Sequence, residues 1–140
     1  MKEKFSDYEG QQYLSQEGEF DFEITAAELT DSKKGDLMWK FDVKSDEGTS
    51  TIYHSLNQKA RWSFNNLIKV CLNLNTREKI NAFECDYETI GQELVGKHFI
   101  GVVEAESYIK EVKKPNDDGT FDTVEEERTS YKIKSYKEAV

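Results

Sequence analysis

Alternation of apolar and polar residues in three short runs constrains the fold of this chain most. In FDFEIT, Phe20, Phe22 and Ile24 alternate with acidic or hydroxyl-bearing side chains. A period of two residues puts alternate side chains on opposite faces of a β-strand, so the run predicts a strand with one buried face. LMWKFDVK (37–44) and TIYHSL (51–56) repeat the pattern, and the turn-forming runs DSKKGD and SDEGTS separate the three. The sequence therefore predicts an antiparallel meander of three strands.

The apolar spacing changes after the third strand, between Asn57 and Asn73. Residues three and four apart predict an amphipathic helix there. Its apolar residues are Ala60, Phe64, Leu67, Ile68, Cys71 and Leu72. We expect Ser55 or Asn57 to cap the start of this helix, and Asn73 or Asn75 to end it. A second, short helix is expected at Tyr87–Leu94.

Two long strand-like runs complete the chain. KHFIGVVEAESYIKEV and TVEEERTSYKIKSY flank KKPNDDGT, a strong turn signal that holds the only proline and an Asp-Gly pair. Three strands, a helix and a hairpin follow one another in the order of the OB-fold, although a plain α+β sandwich has the same linear order. We favour the barrel because the helix comes between strands 3 and 4, where an OB-fold has the helix that closes one end of the barrel. The predicted class is mainly β, a five-stranded antiparallel OB-fold barrel with one helix between strands 3 and 4.

Length and charge set further limits. The 140 residues are enough for one domain, predicted at 17–140 behind an N-terminal arm at 1–16. The chain has 19 Lys+Arg against 28 Asp+Glu, a net charge of −9. This balance argues against broad adsorption to nucleic acid or an anionic membrane, but it leaves room for a local basic stripe.

The sequence offers little that indicates chemistry or a membrane. We find no secretory signal and no run long enough to span a bilayer. Cys71 and Cys85 have no metal-ligand spacing, which favours reduced thiols in a cytoplasmic protein. There is no phosphate-binding glycine loop, metal cluster or nucleophile motif. We therefore expect a non-enzymatic protein without a metal or cofactor.

Lysines and outward-facing aromatic residues are the candidate binding groups. OB-folds bind along strands 2 and 3, between the loop joining strands 1 and 2 and the loop joining strands 4 and 5. Each of these two loops carries a pair of adjacent lysines. The expected cationic track comprises Lys33, Lys34, Lys40, Lys97, Lys113, Lys114, Lys132 and Lys134. For any one of them, a solvated surface role is the simpler account.

The aromatic residues fall on two opposite faces of the strands, according to whether their positions match those of the buried apolar residues. Trp39 shares parity with the apolar face and is expected in the core, as is His54. Tyr53 has the opposite parity and points outward, as Met38 does, so it is the better candidate for stacking on a base. The list of candidates is completed by Tyr108 and Phe121 on the hairpin. Trp62 lies off the apolar stripe of the helix and is expected at the helix entry or a subunit contact.

Four segments in this order resemble one known family. They are GEFDFEI (18–24), SKKGDLMWKFDV (32–43), KARWSFNNLIKVCLNL (59–74) and ELVGKHFIGVVE (93–104). From about Gly18 to Tyr136 the chain is similar to the small single-stranded DNA-binding proteins of tailed bacteriophages. The resemblance implies an OB-fold and sequence-independent binding of single-stranded DNA in phage replication or recombination. Many members end in an acidic tail that recruits partner proteins, and this chain, which ends KSYKEAV, departs from that pattern.

Two functions from different classes are therefore expected. The first is stoichiometric coating of single-stranded DNA in the host cytoplasm, with phage replication or recombination proteins as further partners. The alternative is an OB-fold protein-interaction module of such a complex, without direct DNA binding, and the net charge of −9 favours it. An RNA-binding or sugar-binding OB-fold has no separate signal. An exposed edge strand or the N-terminal arm could also support a homodimer.

Overall fold

The computed structural model describes residues 13–139, so most of the predicted N-terminal arm, residues 1–12, lies outside the described part. The strands are β1 (Gly18–Asp31), β2 (Leu37–Ser45), β3 (Gly48–Ser55), β4 (His98–Pro115) and β5 (Phe121–Lys137). The helices, all between β3 and β4, are α1 (Arg61–Cys71), α2 (Arg77–Ala82) and α3 (Ile90–Glu93). The prediction of a mainly β chain with five antiparallel strands is confirmed.

The strands form one open sheet in the order β3-β2-β1-β4-β5. The central strand β1 changes partner along its length: residues 18–23 pair with β4, and residues 23–31 pair with β2, so that Glu23 has a partner on both strands. An irregularity between Ile24 and Ala26 marks the change, and such a bulge bends a strand and increases its twist. The β4–β5 pairing continues to Pro115, far beyond the last β1–β4 pair at Val103, so these strands form a long two-stranded ribbon.

The alternation read from the sequence places the core correctly. On β2, Trp39, Phe41 and Val43 are buried, whereas Leu37, which shares their parity, is 39% exposed at the strand end. The Trp39 indole Nε1 donates to the carbonyl of Tyr87 at 2.7 Å, so the polar edge of this buried ring has a partner. His54 is buried on β3, as expected, and lies 2.7 Å from the hydroxyl of Tyr136 on β5.

Helix α1 is shorter at its start than the predicted 57–73. The Asn57 side-chain oxygen accepts from the backbone N–H of Lys59, and the Ala60 N–H donates to the Asn57 carbonyl. These bonds form a turn before the helix, so the prediction that Ser55 or Asn57 caps α1 is wrong. The predicted end at Asn73 is confirmed, because this residue adopts a left-handed backbone with φ 55° directly after the last turn.

The prediction of one helix between strands 3 and 4 is also wrong, since the structure has three there. Thr76 caps the unpredicted α2 by accepting from the N–H of Lys79. The short helix expected at Tyr87–Leu94 is reduced to α3, whose Gly91 lies against the Trp39 ring. α1 packs on β3, β4 and β5 and inserts Phe64, whose ring centroid is 6.0 Å from that of Phe41.

Candidate nucleic-acid interface

The outer face of β2 and β3 presents polar side chains because the other face is filled by the core. Lys40, Asp42 and Lys44 alternate with the buried residues of β2. Tyr53 is paired directly opposite Lys40 and is 56% exposed, which confirms that it points outward. Met38 lies two pairs further along, opposite Ser55, and so shares this face. This face therefore offers a cation beside an aromatic ring, the combination that single-stranded nucleic acid binds.

A groove of about 1070 Å³ runs between this face and the β4–β5 ribbon. Lys40 and Lys44 lie on one wall, and Tyr108 on the other. The remaining lining comes from Tyr13, Leu14, Ser15, Thr25, Asp42, Val43, Thr49, Ser50, Thr51, Thr129, Ser130 and Tyr131. The structure thus brings Lys40 and Tyr108 together, two predicted site residues that are far apart in the sequence.

Carboxylates alternate with the cations on this face. Asp42 lies between Lys40 and Lys44, and its Oδ1 accepts from the Thr51 hydroxyl at 3.2 Å. Across β1, Glu28 is paired with Lys40 and Glu23 with Lys44. The groove lining itself carries two lysines and one aspartate, an excess of one positive charge, and Glu23 and Glu28 lie beside the two lysines outside that lining.

Most of the predicted ribbon lysines are already paired with carboxylates. Lys132 and Lys134 both contact Glu106. Lys114 lies 3.5 Å from Glu126. Lys113, the neighbour of Lys114, is exposed near the ribbon tip with Phe121, which is 64% exposed. The ribbon therefore has fewer free cations than a count of its lysines indicates.

None of the four predicted ribbon lysines lines the groove, and the remaining three predicted lysines also lie outside it. Lys33 and Lys34 are exposed in the Ser32–Asp36 turn, which closes through a bond from the Gly35 N–H to the Ser32 carbonyl. Among residues 13–139, neither lysine makes an ion pair. Lys97 precedes β4, where its carbonyl accepts from the Ile24 N–H.

Of the residues that line the groove, only Lys40 and Tyr108 were predicted from the sequence. Lys44 shares outward parity with Lys40 and could have been found from that signal. The sequence holds no comparable signal for Tyr13 and Tyr131. Their positions at the groove depend on how the chain before β1, and the β4–β5 ribbon, approach β2 and β3. Tyr13 forms an isolated parallel bridge with Thr49, which positions Tyr13 and Leu14 at the groove. Asp42, which lies between Lys40 and Lys44 on β2, was not among the candidates either.

The side chains whose pKa values are strongly shifted lie in the core or pack against it. Burial raises the pKa of Cys71 to about 12, so this thiol stays protonated and is a poor nucleophile. Burial also raises the pKa of the Tyr136 hydroxyl. Cys71 and Cys85 are both free of disulfide bonds.

A scan against protein-family models gives no match for this chain, and a search of the curated proteins gives none. Within residues 13–139, no helix has the length and apolar character needed to cross a bilayer. The resemblance to phage single-stranded DNA-binding proteins therefore remains a prediction.

Proposed function

We propose that this protein binds single-stranded DNA, without sequence preference, in the groove between the β2–β3 face and the β4–β5 ribbon. The observation that carries the proposal is the groove lining, which combines Lys40 and Lys44 of β2 with Tyr108 of β4. The protein would coat DNA during phage replication or recombination, in the cytoplasm of the host, and would perform no chemistry on it.

The chemistry of the groove fits this ligand. Cations that follow the phosphates supply affinity without reading sequence, and aromatic rings stack on any base at about 1–3 kcal/mol per base. In the groove, Lys40 and Lys44 supply the first element and Tyr108 the second. Tyr53 is paired with Lys40 on the same face but lies outside the groove lining, where its ring would stack on a base at the edge of the path. Lys33 and Lys34, unpaired among the described residues, extend the cationic track beyond one end of β2.

We also propose that the sheet is an OB-type barrel, the fold whose binding face this groove would occupy. Three observations support the assignment. β1 pairs with both β2 and β4, as the first strand of such a barrel does. α1 comes between β3 and β4 and packs on β3, β4 and β5. The bond between His54 and Tyr136 links β3 to β5, the two edge strands of the open sheet.

A protein-interaction module is the second candidate function. Its support is the pairing of Lys114, Lys132 and Lys134 with glutamates, together with the net charge of −9. Tyr108, Ile109 and Phe121 add exposed apolar surface to the same ribbon. A phage replication or recombination protein would then occupy the groove in place of DNA.

Salt separates the two candidates. Binding of a labelled oligo-dT of about 30 bases, longer than one OB-fold site, is followed by anisotropy at low and moderate salt with duplex of equal length as competitor. Binding that weakens as salt rises and resists the duplex supports DNA coating, because phosphate contacts release counterions. An absence of binding at low salt contradicts DNA coating and directs the search to a protein partner.

A further inference from the structure

One carboxylate near the groove holds two of the predicted DNA-binding cations. The Lys132 Nζ lies 3.1 Å from one oxygen of Glu106, and the Lys134 Nζ contacts the other. All three side chains are partly exposed, with 39% of the Glu106 side chain and 59% of the Lys132 side chain accessible. Exposed ion pairs of this kind are weak and exchange readily with other ions.

The same arrangement recurs further along the ribbon. The Arg128 Nη2 lies 3.0 Å from Glu126 Oε2, and the Lys114 Nζ lies 3.5 Å from Oε1. The hydrogen bond from Arg128, with the Lys114 contact, holds the pKa of Glu126 below its usual range, so the carboxylate is charged at neutral pH. Two glutamates of the ribbon thus each bind a pair of cations.

The β4–β5 register puts both clusters on the face that carries Tyr108. Glu106 is paired with Ser130, Tyr108 with Arg128, and Lys110 with Glu126. Positions two residues apart on a strand share a face. A second hollow, of about 600 Å³, is lined by Glu106, Ser107, Tyr108, Ser130 and Lys132. It shares Tyr108 and Ser130 with the groove, so the Glu106 cluster adjoins the proposed DNA path.

A carboxylate held by two cations resembles a phosphodiester in this setting. Each offers two oxygens that share one negative charge and accept charge-assisted hydrogen bonds. A phosphate that enters the hollow must therefore compete with Glu106 for Lys132 and Lys134. Binding at the ribbon would exchange one set of ion pairs for another, whereas Lys40 and Lys44 on the opposite wall have no such described partner.

We propose that Glu106, and farther along the ribbon Glu126, compete with the phosphates of bound DNA for the cations of the ribbon. They mask the ribbon cations in the free protein and weaken the final affinity, which makes release of DNA easier. This inference rests on the proposed function, because it concerns regulation of the same groove.

The test compares Glu106→Gln with Glu127→Gln in the full chain. Glu127 is exposed on the same ribbon, and among residues 13–139 it makes no ion pair, so its substitution removes an equal charge and unmasks no cation. Binding of oligo-dT is measured over a range of salt. We expect about fivefold tighter binding for Glu106→Gln at low salt, the upper limit for one exposed pair. We expect less than about twofold for the control.

The salt slope gives a second readout. Each additional phosphate contact makes the slope of log K against log salt more negative by about 0.7 for single strands. Glu106→Gln should therefore steepen it by about 0.7 to 1.4, and Lys132→Gln with Lys134→Gln should abolish the gain in affinity. Equal gains for Glu106→Gln and Glu127→Gln would reduce the effect to net charge and overturn the inference, as would no gain. If the wild-type protein binds no oligo-dT, the proposed function itself fails.

Discussion

The Nε2 atom of His54 lies 2.7 Å from the Tyr136 hydroxyl, which joins β3 to β5 across the open side of the sheet. Both side chains pack on aromatic rings: His54 stacks on Phe64 with centroids 5.4 Å apart, and Tyr136 meets Phe99 edge-on at 5.1 Å. Within the described part of the chain, no buried side-chain polar atom lacks a hydrogen-bond partner. The hydrogen bond between His54 and Tyr136 stabilises the relative positions of β3 and β5, which are not paired with each other in the sheet.

Removal of the Tyr136 hydroxyl should destabilise the protein. Tyr136→Phe keeps the ring but leaves a buried nitrogen of His54 unpaired, which costs about 1–3 kcal/mol in the free energy of unfolding. Urea denaturation measures the change. Tyr53→Phe, which removes an exposed hydroxyl, is the matched control and should stay within about 0.5 kcal/mol of the wild type. Equal stability of all three proteins would mean that the bond does not link the strands.

Stability should also fall in mildly acidic solution because of His54. Burial lowers the pKa of His54 from 6.5 to about 4 in the folded protein. Between these values the unfolded chain binds a proton that the folded protein does not, so the contribution of His54 is complete above about pH 6.5 and declines as the pH falls towards 4. The decline amounts to about 3 kcal/mol.

Urea denaturation at a series of pH values tests this linkage. His54→Gln retains a polar side chain but cannot titrate, so the free energy of unfolding should depend less on pH between 4 and 6.5 than in the wild type. His98→Gln, at the exposed histidine that pairs with Asp21, serves as the control. A wild-type and a His54→Gln protein with the same pH dependence would show that folding does not lower the pKa of His54.

The contact between Gly91 and Trp39 should tolerate no added side chain. A Cβ built at Gly91 would lie 2.3 Å from the Trp39 ring, well inside van der Waals contact. Gly91→Ala must displace α3 or the buried indole, and overpacking of this kind costs about 1–3 kcal/mol or more. Thermal unfolding measures the loss, with Glu93→Ala in the same short helix as the control. A Gly91→Ala protein as stable as the wild type would contradict the packing of α3 on β2.

Loss of either outward tyrosine should weaken DNA binding without unfolding the domain. Tyr53→Ala and Tyr108→Ala should each cost about 1–3 kcal/mol of binding free energy if their rings stack on bases. Trp62, 75% exposed on α1 and not on the β2–β3 face that carries Lys40 and Tyr53, provides a matched aromatic control. Trp62→Ala should retain wild-type affinity for oligo-dT. If Trp62→Ala weakens binding and the two tyrosine variants do not, the DNA path runs over α1.

Neutralising the groove lysines should lower the affinity for DNA, and so should reversing the charge of the turn lysines. Lys40→Gln with Lys44→Gln removes two phosphate contacts, which makes the slope of log K against log salt shallower by about 1.4. Lys33→Glu with Lys34→Glu should also weaken oligonucleotide binding. Lys69→Gln with Lys79→Gln, on exposed positions of α1 and α2, is the control for general charge. Wild-type affinity in a folded Lys33/Lys34 variant would exclude the turn from the DNA path.

Local periodicity explains which parts of the fold were predictable. Trp39 and Tyr53 were placed on opposite faces correctly, because a two-residue period depends only on neighbours in sequence. The start of α1 was missed because the bond from the Lys59 N–H to the Asn57 side chain forms a competing turn, which helical spacing does not reveal.

Contacts between distant strands explain the rest. The pairing of Lys132 and Lys134 with Glu106 depends on the β4–β5 register, including a shift between Val102 and Val103. Alternation within one strand cannot reveal that shift. The approach of Tyr108 to Lys40 depends likewise on how the ribbon curves over β2 and β3. The sequence therefore indicates where the lysines lie along each strand, but it does not reveal the carboxylates with which they form ion pairs.

Nuclear magnetic resonance can locate bound DNA on the surface of the protein. The 140-residue chain is small enough for assignment of its backbone amides, and unlabelled oligo-dT is titrated into ¹⁵N-labelled protein at low salt. The account predicts that the largest shifts occur on β2 and β3 around Lys40, Lys44 and Tyr53, and on the ribbon around Tyr108. Shifts confined to the helices, or no shifts at all, would contradict the assignment of this groove as a single-stranded DNA site.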